Sequence, residues 1–96
     1  METYYLLVFD STHAAMQAQK DLNNWMKVIV VPTLREITAS CGISLRVAKE
    51  DYETFLSILR DQKKAVRLDT KLCRLYQIIS QDRTNQARQI PLPAIG

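Results

Sequence analysis

The hydrophobic positions of the chain fall into short runs and helical stripes, separated by polar segments. Residues 4–9 are continuously apolar and rich in aromatic side chains, which predicts a strand buried on both faces. Polar residues 10–12 then favour the start of a helix, and apolar side chains recur every three or four residues as far as Met26. The members of this helical stripe are Ala15, Ala18, Leu22 and Trp25. The β-branched run at 28–31 predicts a second strand over residues 27–31, which stops at Pro32 because proline cannot donate a ladder hydrogen bond.

The second half of the chain repeats this pattern. Residues 43–48 alternate between apolar and polar, the period of a strand with one buried face. A helix with one apolar face is predicted next, with Lys49, Glu50 and Asp51 at its start; its apolar positions are Tyr52, Phe55, Leu56 and Leu59. We expect a last strand at 72–79. No usable period follows, so we predict one α+β domain over residues 1–79 and a flexible or strap-like tail over residues 80–96.

The order of these elements is β-α-β-β-α-β, which is typical of the ferredoxin-like fold: a four-stranded antiparallel sheet with two helices on one face. In that arrangement strands one and three are central neighbours. The start of the first helix then approaches the loop between strands two and three. We therefore expect residues 10–13, 33–42 and 62–64 at one end of the domain. Because this fold serves many functions, it assigns none by itself.

The loop between strands two and three carries the candidate site. Thr33 and Glu36 have the spacing of a capping box, so we expect one or two helical turns here. Gly42 is where such a helix would need a residue with positive φ, and Cys41 is then presented at a tight corner. Two interpretations of Cys41 stay open: a reactive thiol, or a small buried packing residue.

Composition narrows the class of protein. The 96 residues are 47% hydrophobic and 24% charged with a net charge of +3, as expected for a soluble globular domain. No apolar run is long enough to cross a bilayer, and the N-terminus lacks the pattern of a secretory signal. We therefore expect a cytoplasmic protein that does not bind membranes. Two cysteines without a C-x-x-C spacing, and a single histidine, predict free thiols and no metal or other cofactor.

Basic residues concentrate between residues 60 and 74 and could attract an anion or a nucleic acid. They are Arg60, Lys63, Lys64, Arg67, Lys71 and Arg74. Solvated surface charges are the favoured interpretation, and no aromatic-basic RNA-binding motif or recognised enzyme motif is present. Nucleic acid is the least favoured partner.

Two segments resemble a known family. Residues 5–16 and the central segment 32–47 are similar to the small bacterial domains described as selenium/sulfur carrier-like proteins, with the central pattern P-T-P-R-E-I-S-S-S-C-G-L-A-L-R. The resemblance spans residues 4–79. Leu34 replaces the second proline of the pattern, and Gln19 stands where an acidic residue is common. The matching residues are Pro32, Thr33, Arg35, Glu36, Ile37, Ser40, Cys41, Gly42, Leu45 and Arg46.

The resemblance implies a carrier in which Cys41 holds sulfur or selenium as a persulfide or selenosulfide, exchanged with donor and acceptor proteins. Such a carrier is not itself an enzyme. Arg35, Arg46 and His13 are the expected binding residues, because cationic neighbours stabilise a thiolate. The alternative is a protein-binding or regulatory module in which Cys41 is structural. Association of copies through sheet edges is compatible with both.

Overall fold

In the computed structural model, residues 1–39, 41–66, 68 and 71–92 are described here. A central sheet carries two α-helices, with a short 3-10 turn at Lys49–Asp51 before the second helix and another at Gln62–Lys64 after it. The elements in chain order are β1 (Glu2–Phe9), α1 (Thr12–Leu22), β2 (Ile29–Pro32), β3 (Ile43–Ala48), α2 (Tyr52–Arg60), β4 (Cys73–Gln81) and β5 (Thr84–Ile90).

The sheet has five strands in the order β2-β3-β1-β4-β5, and every neighbouring pair is antiparallel. The predicted α+β class and antiparallel sheet are confirmed, as is the pairing of β1 with β3. The predicted count of four strands is wrong. β1 occupies the centre, where Leu7 pairs with Leu45 on one side and with Leu75 on the other. The ferredoxin-like assignment stays a prediction.

The fifth strand, β5, lies within the segment that we expected to be a flexible or strap-like tail. Its residues pair with β4 from Gln81↔Thr84 to Leu75↔Ile90. Asp82 and Arg83 make the two-residue turn between these strands, with φ of 50° and 67°. The sheet therefore continues past the expected domain boundary at residue 79. Residues 93–96 of the expected tail lie outside the described residues.

Two apolar layers cover the two faces of the sheet. On the helix side, buried residues of both helices pack against alternate strand residues such as Leu7, Leu45 and Leu75. On the other side, a smaller cluster contains Leu6, Val8, Ile37 and Ile78. Ile37 belongs to the β2–β3 loop, so this loop lies across the face that carries no helix. Among the described residues, no helix has the length and apolar character to cross a membrane.

The β2–β3 loop differs from our expectation. Its described residues contain a turn, with the Ile37 amide donating to the Leu34 carbonyl at 3.0 Å, and no helix. The Thr33 hydroxyl does not cap a helix; it lies 2.7 Å from the Ser44 hydroxyl and donates to the Cys41 carbonyl at 3.3 Å. Gly42 does not have a positive φ. The capping-box prediction was wrong because burial of Ile37 and the bonds of Thr33 hold the loop flat on the sheet.

Candidate functional site

The thiol of Cys41 lies on the helix side of the sheet, and its residue is only 4% exposed. Three polar contacts surround its sulfur. The Thr12 hydroxyl is 3.4 Å away, the Ile43 amide donates to the sulfur at 3.5 Å, and the thiol can donate to the Ile43 carbonyl at 3.5 Å. The amide and the hydroxyl can therefore both donate a hydrogen bond to the sulfur.

The start of α1 supplies the contact with Thr12. Ser11 caps this helix, its hydroxyl oxygen accepting from the Ala14 amide at 3.3 Å, and Thr12 is the first helical residue. The positive end of the helix dipole is therefore close to the sulfur of Cys41. The predicted approach of the first helix to the β2–β3 loop is present in the structure.

Arg35 and Arg46, the arginines that we expected beside Cys41, line a groove on the opposite face of the sheet. β3 alternates, so Leu45 and Val47 pack on the helix side while the Arg46 guanidinium lies 4.3 Å from the centre of the Tyr4 ring. It also forms an ion pair of 3.1 Å with Glu2. The groove has a volume of about 410 Å³, and Leu34, Arg35 and Glu36 of the loop contribute to its wall.

His13 follows Thr12 in the first turn of α1 and is exposed. It borders a surface depression of α1 together with Met16 and Gln17. The structure thus brings Thr12 to the sulfur and leaves His13 on the outer surface of the helix.

Arg74 was not singled out as a site residue, although it contacts the loop that precedes Cys41. From β4, its Nη2 donates to the Thr38 carbonyl at 2.7 Å and lies 3.4 Å from Asp10 Oδ1, and its Nη1 donates to the Tyr76 hydroxyl at 3.2 Å. In the sequence this arginine could be recognised only as one member of the basic cluster, because its partners are 36 and 64 residues away.

Lys64, another member of the basic cluster, does not lie beside Cys41. Lys64 lies 4.5 Å from the centre of the Trp25 ring, and its carbonyl accepts from the Trp25 indole at 3.1 Å. Trp25 follows the C-terminal end of α1, whereas Cys41 contacts the N-terminal end. The prediction that residues 62–64 share the Cys41 end of the domain was therefore wrong. Arg67 and Ser40, named in the cluster and in the sequence motif, lie outside the described residues.

Cys73 is the second free thiol, and it is buried in the helix-side core. Burial raises its pKa to about 12, while the nearby Arg74 charge acts in the opposite direction. At neutral pH this thiol is protonated, and therefore a poor nucleophile. No group of three or more metal-binding side chains exists among the described residues.

The fold and the site define a small α+β protein in which the thiol of Cys41 lies against the start of the first helix. The family model described as "Putative Se/S carrier protein-like" matches residues 4–67. The chain belongs to this family, as the resemblance in its sequence predicts. No curated protein and no solved structure matches the chain.

Proposed function

We propose that the protein carries sulfur or selenium on Cys41 and passes it between other proteins. The observation that carries this proposal is the position of the Cys41 sulfur against the Thr12 hydroxyl and the Ile43 amide, at the start of α1, in a chain of the Se/S carrier-like family. Both groups can donate a hydrogen bond to the sulfur, and the thiolate is the reactive form of cysteine.

The transfer requires only thiol exchange. The Cys41 thiol loses its proton to solvent, and its thiolate attacks the outer sulfur of a donor persulfide. A sulfur–sulfur bond forms to Cys41 while the bond between the two donor sulfurs breaks, and the donor leaves as a thiolate. An acceptor nucleophile then attacks this outer sulfur. The bond between that sulfur and Cys41 breaks, and Cys41 leaves as a thiolate. Selenium follows the same steps, and neither exchange changes the total oxidation state.

Several further properties belong to this proposal. The order 2-3-1-4 of the first four strands supports a ferredoxin-like fold extended by β5. The two free cysteines suit a reducing compartment such as the cytoplasm. The partners are donor and acceptor proteins, and the carrier itself is not an enzyme. Arg35 and Arg46 are best placed to contact such a partner at their groove.

The direct test is to treat the Cys73→Ser variant with glutathione persulfide and to measure its mass without reducing agent. We expect a gain of one sulfur atom on Cys41, and loss of that atom when a thiol acceptor is added. Cys41→Ser in the same background should gain nothing. A folded protein whose Cys41 takes no sulfur over a range of donor concentrations would contradict the carrier proposal.

The burial of Cys41 favours a second candidate function, a protein-binding module in which the cysteine is structural. The groove beside Arg35 and Arg46 would then be the functional surface, independent of the thiol. This alternative predicts that Cys41→Ala leaves partner binding intact, whereas Arg35→Glu removes the binding. The carrier proposal predicts that partners discriminate between the free and the persulfide forms of Cys41.

A further inference from the structure

We propose that Arg74 is a positioning residue that controls access to Cys41 by holding together the two segments that enclose its sulfur. This inference rests on the proposed function, since it concerns the regulation of the same thiol. Arg46 lies on the same face of the sheet as Arg74, but its guanidinium pairs with Glu2 and contacts the Tyr4 ring instead of these two segments.

The enclosing segments are the β2–β3 loop and the turn between β1 and α1. The loop ends at Cys41, and the turn provides Thr12, whose hydroxyl contacts the sulfur. Arg74 bonds to both of them: it donates to the Thr38 carbonyl in the loop, and it pairs with Asp10 two residues before Thr12. One guanidinium thus connects two segments whose described residues lie outside the strand pairing of the sheet.

The two contacts that make this connection differ in strength. The 2.7 Å bond to Thr38 is short and donated by a charged group, which makes it the stronger contact. The pair with Asp10 is longer, at 3.4 Å, and the side chains are 31% and 39% exposed, so solvent weakens it. Tyr76 fixes the other nitrogen of the guanidinium from the same strand. Loss of Arg74 should therefore free the loop more than it disturbs the sheet.

The carrier needs such a control because a residue that is 4% exposed cannot meet a donor protein. The loop must move, and the polar contact that holds it lies at the surface, where an arriving carboxylate of a partner can compete for Arg74. In the resting state the same contact protects the thiol from oxidation. Arg74 thereby couples exposure of Cys41 to the arrival of a partner.

The test is the alkylation rate of Cys41 by iodoacetamide in the Cys73→Ser background at neutral pH. Arg74→Met keeps the length of the side chain and removes its donors. We expect the rate to rise roughly ten-fold, as expected for loss of a hydrogen bond from a charged group. Arg74→Lys, which keeps one charged donor, should lie between Arg74→Met and the parent. Arg88→Met is the matched control, because Arg88 is an exposed arginine on β5 and should leave the rate unchanged.

A second measurement separates local opening from general destabilisation. Arg74 directly follows Cys73 and its charge acts on that thiol, so general destabilisation is measured instead by urea unfolding with and without Arg74→Met. A rise in the Cys41 rate larger than the loss in free energy of unfolding accounts for supports the positioning role. An unchanged rate at Cys41, or a rise that this loss fully accounts for, overturns it. The carrier function fails by a different result, the absence of sulfur uptake on an accessible Cys41.

Discussion

At the scale of single residues, the contact between Thr33 and Ser44 shows how the β2–β3 loop is held on the sheet. Ser44 is fully buried, and its hydroxyl lies 2.7 Å from that of Thr33. A buried hydroxyl without a partner costs free energy comparable to a lost hydrogen bond. The anchor of the loop is therefore a polar contact inside an otherwise apolar layer.

Thr33→Val should lower the free energy of unfolding by about 1–2 kcal/mol, because it leaves the Ser44 hydroxyl without its partner. Ser44→Ala alone should also destabilise the protein. The double variant should lose less than the sum of the two, since both ends of the contact are then removed. Urea unfolding of the four proteins measures this coupling. Strict additivity would show that the two hydroxyls do not interact.

Cys73 gives a prediction about alkaline pH. Folding keeps this thiol protonated up to a pKa of about 12, against an ordinary value of 9.0. The unfolded chain therefore loses this proton first, and the free energy of unfolding falls as pH rises from about 9 to 12, by at most about 1.4 kcal/mol per pH unit. Burial also raises the pKa values of Tyr4 and Tyr52, which leaves a further decline above pH 10.

The measurement is the stability of the parent protein and Cys73→Ala by urea unfolding at several alkaline pH values. Cys73→Ala should be less stable near neutral pH, because a side chain of the core is shortened, but its stability should fall less steeply with pH. Ile58→Val, a core change without a titrating group, should keep the slope of the parent. Equal slopes of the unfolding free energy against pH in all three proteins would show that Cys73 does not cause the alkaline loss of stability.

At the scale of secondary-structure elements, the β4–β5 hairpin has a turn whose residues do not suit its backbone. Both Asp82 and Arg83 have positive φ, which is the requirement of a type I′ turn and favours Asn-Gly. An arginine with positive φ is strained by its Cβ. The stability of β5 in this hairpin therefore comes from its pairing with β4 and not from a favourable turn.

Arg83→Gly should raise the free energy of unfolding by about 0.5–1 kcal/mol, because relief of the strain at φ 67° exceeds the added flexibility of the unfolded chain. Thermal unfolding measures the gain. Arg88→Gly, at a β5 position with ordinary strand geometry, should destabilise the protein instead. A loss of stability in Arg83→Gly would mean that the Arg83 side chain makes a compensating interaction.

The elements that the sequence revealed are those with a distinct hydrophobic pattern: a continuous apolar run in β1, alternation in β3 and one apolar stripe in each helix. The structure contains them within a few residues of the expected bounds. β5 was missed because an edge strand with the sequence Thr-Asn-Gln-Ala-Arg-Gln-Ile buries too little apolar surface to show a period. Its turn also lacks the Asn-Gly signal. The helix predicted in the β2–β3 loop failed because long-range contacts of Thr33 and Ile37 override local spacing.

The candidate site was only partly predictable for the same reason. Cys41 and its nearness to α1 follow from strand order. Which arginine reaches the loop does not, because it depends on the position along the sheet: Arg46 contacts Glu2, whereas Arg74 of β4 lies beside Asp10. Arg74 and Thr38 are 36 residues apart in the chain, so the sequence gives no signal of their hydrogen bond.

At the scale of the whole molecule, the two edges of the sheet differ in character. β5 carries side-chain amides and the charged Arg88, and these polar side chains discourage pairing with another strand. β2 has the sequence Ile-Val-Val-Pro without a charge, and Ile29 is 48% exposed. Association of copies, which the sequence left open, is therefore expected to use β2.

We predict that the protein forms dimers through β2 as its concentration rises, measured by light scattering after gel filtration. Ile29→Lys should keep the protein monomeric without loss of stability, because this side chain is half exposed. Gln86→Lys on the outer strand β5 is the matched control and should not change the dimer. A dimer that survives Ile29→Lys, or a monomer at every concentration, would contradict this use of the edge.

The central place of β1 has a consequence for the nascent chain on the ribosome. β1 is synthesised first, yet one of its two neighbours, β4, comes more than sixty residues later. The core around Cys41 includes Cys73 and Leu75 of β4. This core therefore cannot form until β4 has been synthesised. We expect Cys41 to be open to solvent during this interval. If Cys41 carries sulfur as proposed, its first sulfur atom can be loaded then, before the finished fold makes access depend on movement of the loop.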